Sequence, residues 1–329
     1  MELARKTTVA WLFQNAPSLP IFPLDRHAIE VLLHPQIVAV RISESLRERS
    51  VVAVYEDASA LCTTSTFLKY AIYLYAGPGE STTVEVLRHR GCGFSFRIER
   101  EAILNAAQGL GSVAPSSLPY QMKIPEGMLR SYKAPERIEQ ENMISRAVDR
   151  LHSDKNIDDK LFILQNLSST TSYDKVNRDA AYQMCEVILQ NTSGILDMIV
   201  SILIACKEMS DDDISYQILN ACLTIIANSI SALSEMNKPI KDVLTKTVAD
   251  CKGLLNCLVT IVHECSCPHN TTLALTCFRL ILENSTVAND IVNKKICDSV
   301  RDAKAIGEKT HRNLFLAAES TLAACSKVA

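Results

Sequence analysis

The chain has 329 residues, 47% of them hydrophobic and 22% charged, with a formal net charge of −3. That apolar content excludes a wholly disordered chain, and the near-neutral charge excludes the basic footprint of a nucleic-acid binder, so nucleic acid is not an expected partner. The length suits two domains better than one core.

Taken in chain order, Arg5 and Lys6 precede a short apolar piece, Val9 to Phe13, that stops at Gln14 and Asn15. It is too short for the core of a secretory signal. Residues 37–42 (IVAVRI), 51–55 (VVAVY), 70–75 (YAIYLY) and 83–87 (TVEVL) are short and rich in β-branched or aromatic residues, and read as strands. Residues 94–98 (FSFRI) alternate and read as a further strand, paired back through a Gly91-Cys92-Gly93 turn to form a basic hairpin. A helix is expected from Glu99, stopped by Gly109 and Gly111. Antiparallel strands closed by one amphipathic helix read as a pleckstrin-like barrel, with other α+β sandwiches as the alternative. The expected organisation is a β-rich module closed by a helix over 1–111, a Pro/Ser/Gly linker over 112–134 and an all-α region over 135–329.

From Pro135 the apolar period becomes that of a helix, with Pro135 at a helix start. Helices are expected near 136–152, 157–169, 174–190, 194–208, 212–233, 239–264, 269–284 and 310–326, with one or two short ones between 286 and 306. The most apolar stretch, residues 195–206, is too short and carries an Asp, so it reads as a buried helix rather than a membrane span. ILNACLTIIANSI (218–230) resembles the stretch beginning LALTCFRLILENS at 273, with Cys222 aligned to Cys277. The spacing, near 55 residues and then shorter, suits a divergent armadillo- or HEAT-like α-solenoid; a compact helical bundle is the alternative.

The 12 cysteines fall mostly in helical patterns, where Cys acts as a small buried hydrophobe. With no signal peptide expected, they read as reduced thiols in a cytoplasmic protein. The sequons at Asn166, Asn191, Asn270 and Asn284 read as helix ends and caps.

FRIEREAILNAAQGLG (96–111), with the strands before it and the helices after it, resembles the pleckstrin-like modules of the large DnaJ-domain endosomal proteins of receptor-mediated endocytosis. In those proteins a strand, a polar turn and a similar helix lead into a long armadillo-like solenoid. The resemblance implies an endosomal trafficking role, peripheral on endosomal membranes. The His-Pro-Asp tripeptide of a J domain is absent, because His34-Pro35 is followed by Gln36. No position matches the family's lipid-contacting residues. Formin N-terminal regions, which also carry armadillo-like repeats, are a competing resemblance.

Four potential zinc ligands, His263, Cys265, Cys267 and His269, fall within seven residues. Their tight C-x-C spacing and Pro268 favour a helix–helix turn, so no metal and no cofactor is expected. Gly91-Cys92-Gly93 lacks the third glycine of a phosphate-binding fingerprint and is read as not leading from a strand into a helix. Arginines around Cys92 would lower its pKa, but no base or oxyanion site accompanies it. No Walker, GxSxG, HExxH or kinase signature occurs, so the chain is not expected to be an enzyme. Arg88, Arg90 and Arg97 form the candidate site: three guanidiniums beside a glycine turn suit a phosphate, a phosphoinositide headgroup or an acidic partner. The alternative is a solvated hairpin neutralised by Glu85, Glu99 and Glu101. The expectation is thus a non-enzymatic adaptor that binds proteins through a solenoid, with a membrane-targeting module reading anionic lipid as the second reading.

Overall fold

The computed structural model describes residues 11–110, 137–153, 156–172, 178–191, 193–208, 213–235, 252–284 and 294–328. The expected linker over 112–134 and the first half of the helix expected at 239–264 lie outside the described residues. The chain divides into two compact units. The first takes Met1–Gln121, Ser266–Pro268 and Lys304–Leu316; the second takes Met122–Cys265, His269–Ala303 and Ala317–Ala329.

The first unit runs β1 (Ile29–Val31), α1 (Pro35–Glu48), β2 (Val52–Glu56), β3 (Ser59–Thr63), β4 (Lys69–Ala76), β5 (Thr82–Arg90) and α2 (Gly93–Gln108). The five strands form one antiparallel sheet in the order β1-β5-β4-β3-β2. Two stretches expected as strands are helical. Residues 37–42 lie in α1, where Pro35 starts the helix and His34 caps it by accepting from the Gln36 N–H. The β-branched content that suggested a strand includes Ile37 and Val40, both 47% exposed on the outside of the helix. Val38, Ala39, Ile42 and Leu46 carry the helical spacing that is buried. Residues 94–98 likewise form the start of α2. Strands β1 and β3, the latter spelled SALCT, lacked a strong enough pattern to be anticipated.

Both helices pack on one face of the sheet. Ile42 and Leu46 of α1 and Ile103 and Ala107 of α2 share a core with Tyr70, Ile72, Leu74, Val84 and Val86. Trp11 joins that core, stacked on Tyr55 at 5.4 Å and donating its indole N–H to the Asp57 carbonyl. The other face carries a cross-strand row, Val54–Leu61–Ala71–Leu87, with Tyr73 and Tyr75 stacked at 6.4 Å beside it. Helix α2 ends where Gly109 turns left-handed (φ 78°), and the Leu110 N–H reaches back to the Asn105 carbonyl.

The remaining described elements are helices: α3 (Arg137–Ser153), α4 (Ile157–Thr170), α5 (Arg178–Gln190), α6 (Ile195–Glu208), α7 (Asp213–Glu235), α8 (Lys252–Glu264), α9 (Pro268–Asn284), α10 (Lys294–Thr310) and α11 (Arg312–Val328). The 17-residue α10 replaces the one or two short helices expected between 286 and 306. Among the described residues α7 alone is long and apolar enough to cross a membrane, but it packs against α4, α5 and α6 as the central helix of the second unit. Its Ile218, Cys222, Ile225, Ile226 and Ile230 are buried there. Asn166 lies inside α4, not at its end. Asn191, at φ 51°, does cap: its side chain accepts from the Leu196 N–H and donates to Asp197.

Candidate functional site

Strand β5 runs directly into α2, so the basic hairpin expected around Gly91 is a strand-to-helix turn. The expectation that Gly91-Cys92-Gly93 does not lead from strand into helix is corrected with it. Glycine is required at 91: its φ is 107°, and a Cβ there would lie 2.8 Å from the Leu68 Cα. Cys92 is the N-cap residue in extended conformation, and Gly93 opens the helix. The N-terminus of α2 therefore lies at the exposed end of β5, where a helix terminus favours negative charge.

Arg88 and Arg90 sit two apart near the end of β5, in register with Tyr70 and Lys69, where the β4–β5 pairing shifts by a bulge. The Arg88 guanidinium folds over the turn, donating from Nη1 to the Gly91 carbonyl at 3.0 Å. A Cβ on Gly93 would lie 3.1 Å from that same nitrogen, which places the charge against the start of α2. Arg97 is exposed on α2, in its second turn rather than on a facing strand. Arg100 lies over the Phe96 ring at 5.6 Å.

Two of the three carboxylates that would neutralise a hairpin are committed elsewhere. Glu99 accepts two bonds from Arg49, Nε at 3.0 Å and Nη2 at 2.6 Å. Glu85 is buried, accepting from the Asp25 N–H at 2.7 Å and the Tyr75 hydroxyl at 3.2 Å.

Cys92 is exposed at this same turn. Its side chain closes no capping hydrogen bond, yet the backbone N–H groups of Ser95 and Phe94, then the Ser95 hydroxyl and Arg88, hold its thiol below the ordinary range. In contrast, burial pushes the Cys62 thiol and the Tyr70 phenol up beneath α2. The sequence signal for this helix N-terminus was present but outvoted. Phe96, Ile103 and Ala107 keep one helical face through 94–98, while the period-2 alternation of Phe94, Phe96 and Ile98 pointed to a strand.

The four residues weighed for zinc are drawn to different neighbours. His263 Nδ1 lies 3.0 Å from the Ser299 hydroxyl on α10, and His269 Nδ1 lies 2.6 Å from the Tyr216 hydroxyl on α7. Cys265 takes φ 43° after α8, its N–H bonded to the Ile261 carbonyl, and Pro268 begins α9 just beyond Cys267. Among the described residues no group of three or more His, Cys, Asp or Glu side chains is arranged to hold a metal.

No family model matches the chain, and neither a curated protein nor a solved structure matches it.

Proposed function

We propose that this chain is a non-enzymatic adaptor that binds protein partners through an armadillo- or HEAT-like α-solenoid. Its β-rich N-terminal module is pleckstrin-like in having an antiparallel sheet closed by a C-terminal helix, with α1 as a departure from that pattern. The supporting observation is a recurrent offset between helices that bond to one another in the second unit. Arg137 reaches Gln190 across 53 residues, Asn228 reaches Thr171 across 57, and Tyr182 reaches Glu235 across 53. Tyr216 meets His269 across 53, Cys277 donates to the Leu223 carbonyl across 54, and Thr321 donates to the Leu275 carbonyl across 46. The last offset is the shorter one, as in the internal sequence similarity. Repeated units that each bury a face only against their neighbours produce this pattern, and arrays of that kind present long surfaces for other proteins.

The resemblance of residues 96–111 supports a role for the adaptor in endosomal membrane trafficking, on the cytoplasmic face. Affinity purification of the full chain with cross-linking mass spectrometry tests this reading. Partner cross-links are expected on helices α3 to α11, and partner cross-links confined to residues 11–110 would overturn it.

A second reading is favoured by a separate observation, the diversion of Glu85 and Glu99 away from Arg88, Arg90 and Arg97. It makes the β5–α2 turn a membrane-targeting surface for anionic lipid or phosphoinositide headgroups. Sedimentation with vesicles containing phosphatidylserine or a phosphoinositide tests it: binding that survives high salt unchanged would exclude an electrostatic headgroup site.

A further inference from the structure

The sheet of the first unit ends in an open strand. β2 pairs with β3 on one side, and on its other side no backbone group of Val52–Glu56 is hydrogen-bonded among the described residues. The ladder shows which groups are left. The Ala58 carbonyl, just before β3, accepts from the Leu74 N–H of β4 at 2.9 Å, so Ala58, Ala60 and Cys62 bond toward β4. Ser59, Leu61 and Thr63 then bond toward β2, to Glu56, Val54 and Val52. Ala53 and Tyr55 remain, with their N–H and C=O groups at the open edge. The Trp11 indole, donating to the Asp57 carbonyl at 2.7 Å, bounds this row at one end, and Ser50 (φ 56°) bounds it at the other.

Edge strands are ordinarily blunted by lysine, proline, a bulge or shortness. β2, spelled VAVYE over five residues, has none of these. The irregularity of the sheet lies instead between Lys69 and Tyr70, and the opposite edge, β1, is three residues long with an exposed Glu30.

We propose that β2 is a homodimerisation edge, on which a second copy of this chain pairs its own β2 antiparallel about a two-fold axis through Val54. The two five-stranded sheets then become one. On the outer face the row Leu87–Ala71–Leu61–Val54 runs to this edge and stops, leaving Leu61 41% exposed. The axis sets Val54 against the copy's Val54 and carries the row on into the copy's Leu61. On the inner face Ala53 lies opposite the copy's Tyr55, and its small side chain leaves room for a ring that is already stacked on Trp11. Each Ala53–Tyr55 pair exchanges two backbone hydrogen bonds, which satisfies every group left open on both strands. Charge agrees with this register. Glu56 is the one charged residue of the strand, and the two copies of it stand about 13 Å apart along the strands, beyond the Debye length of about 8 Å. Because β1 offers no matching edge, the assembly closes at two copies.

The test follows the full chain by sedimentation velocity across a wide range of concentrations. A reversible monomer–dimer equilibrium is expected, with no larger species. Val54→Lys sets two like charges on Cβ atoms about 5 Å apart across the axis and should abolish the dimer, as should Val54→Glu. Val54 is half-buried on the outer face, so the melting temperature of either variant should stay close to that of the diluted natural chain. An equal mixture of the two variants should dimerise again, because lysine then faces glutamate at the axis. A natural chain that stays monomeric at every concentration would overturn the proposal. A dimer that survives Val54→Lys would do the same, by placing the contact on another surface. Two folded variants that fail to restore each other would show that residue 54 does not lie on the axis and would also overturn it.

Discussion

Arg49 and Glu99 form a two-point ion pair between the end of α1 and the second turn of α2, with side chains only 7% and 15% exposed. Arg49 is the residue that ends α1, and Glu99 faces it from the second helix on the same side of the sheet. Glu99→Ala leaves a buried guanidinium without its counter-charge, and the expected loss is about 3–5 kcal/mol. The double variant Arg49→Met with Glu99→Ala should recover much of that. Urea unfolding measures both, and a single-variant loss below about 1 kcal/mol would mean the pair behaves as a solvated surface bridge.

For the β5–α2 turn, Arg88→Glu with Arg90→Glu should abolish sedimentation with anionic vesicles. Thermal stability should hardly change, since exposed charges contribute about 0–1 kcal/mol each. Arg146→Glu with Arg150→Glu on the exposed side of α3 imposes the same charge change and serves as the control. Equal weakening by both pairs would indicate diffuse electrostatics. No weakening by either would leave the arginines as a solvated strand end.

Cys92 has its thiol pKa lowered, so the thiolate persists to more acidic pH than in an ordinary cysteine. Iodoacetamide labelling of Cys92, followed against pH by peptide mapping, should therefore show a midpoint below the roughly 8.5 of a free cysteine. Ser95→Ala should move the midpoint up by removing the hydroxyl partner, and Arg88→Ala should move it up by less, in the order of the groups that favour the thiolate. A midpoint at or above the free value would show that the start of α2 does not polarise the sulfur.

Gly307 sits inside α10 against the backbone of the first turn of α11. A Cβ added there would stand 2.9 Å from the Leu314 carbonyl carbon and from the Phe315 Cα. Two effects oppose each other in Gly307→Ala. Helix propensity would stabilise the variant by about 1 kcal/mol, while forcing backbone apart in a packed contact costs about 1–3 kcal/mol. Backbone cannot rotate away as a side-chain end can, so net destabilisation is expected. A rise in melting temperature would show that the two helices separate easily at this point.

The helical half was legible because its signals agree with one another. Pro268 opens α9 and Asp213 begins α7, each with an apolar helical period behind it, whereas the polar α10 was expected only as one or two short helices. The first unit misled wherever two periods coexist. In α1 the residues Ile37 and Val40 are apolar without being buried, and their β-branched side chains lent the run a strand-like composition that tertiary packing overrides. At 94–98 the same conflict hid the start of α2, and with it the fact that Cys92 and the arginines share a helix terminus. The partners of Glu99 and Glu85 were beyond sequence reasoning, since Arg49 lies 50 residues away and Asp25 lies 60. Nothing local marks those pairings.

Six inter-helix bonds of the second unit, from Arg137–Gln190 to Thr321–Leu275, join residues 46 to 57 apart, while Gln140–Gln183 and His263–Ser299 join residues 43 and 36 apart. Loop-closure entropy rises slowly with length, so each closure costs about the same, and none of them waits for a distant end of the chain. Under the proposed solenoid reading, contacts can form in the order in which the residues leave the ribosome, each helix docking on one already made. Cooperativity under that reading is local, so a lesion in one helix is expected to be felt first by its immediate neighbours.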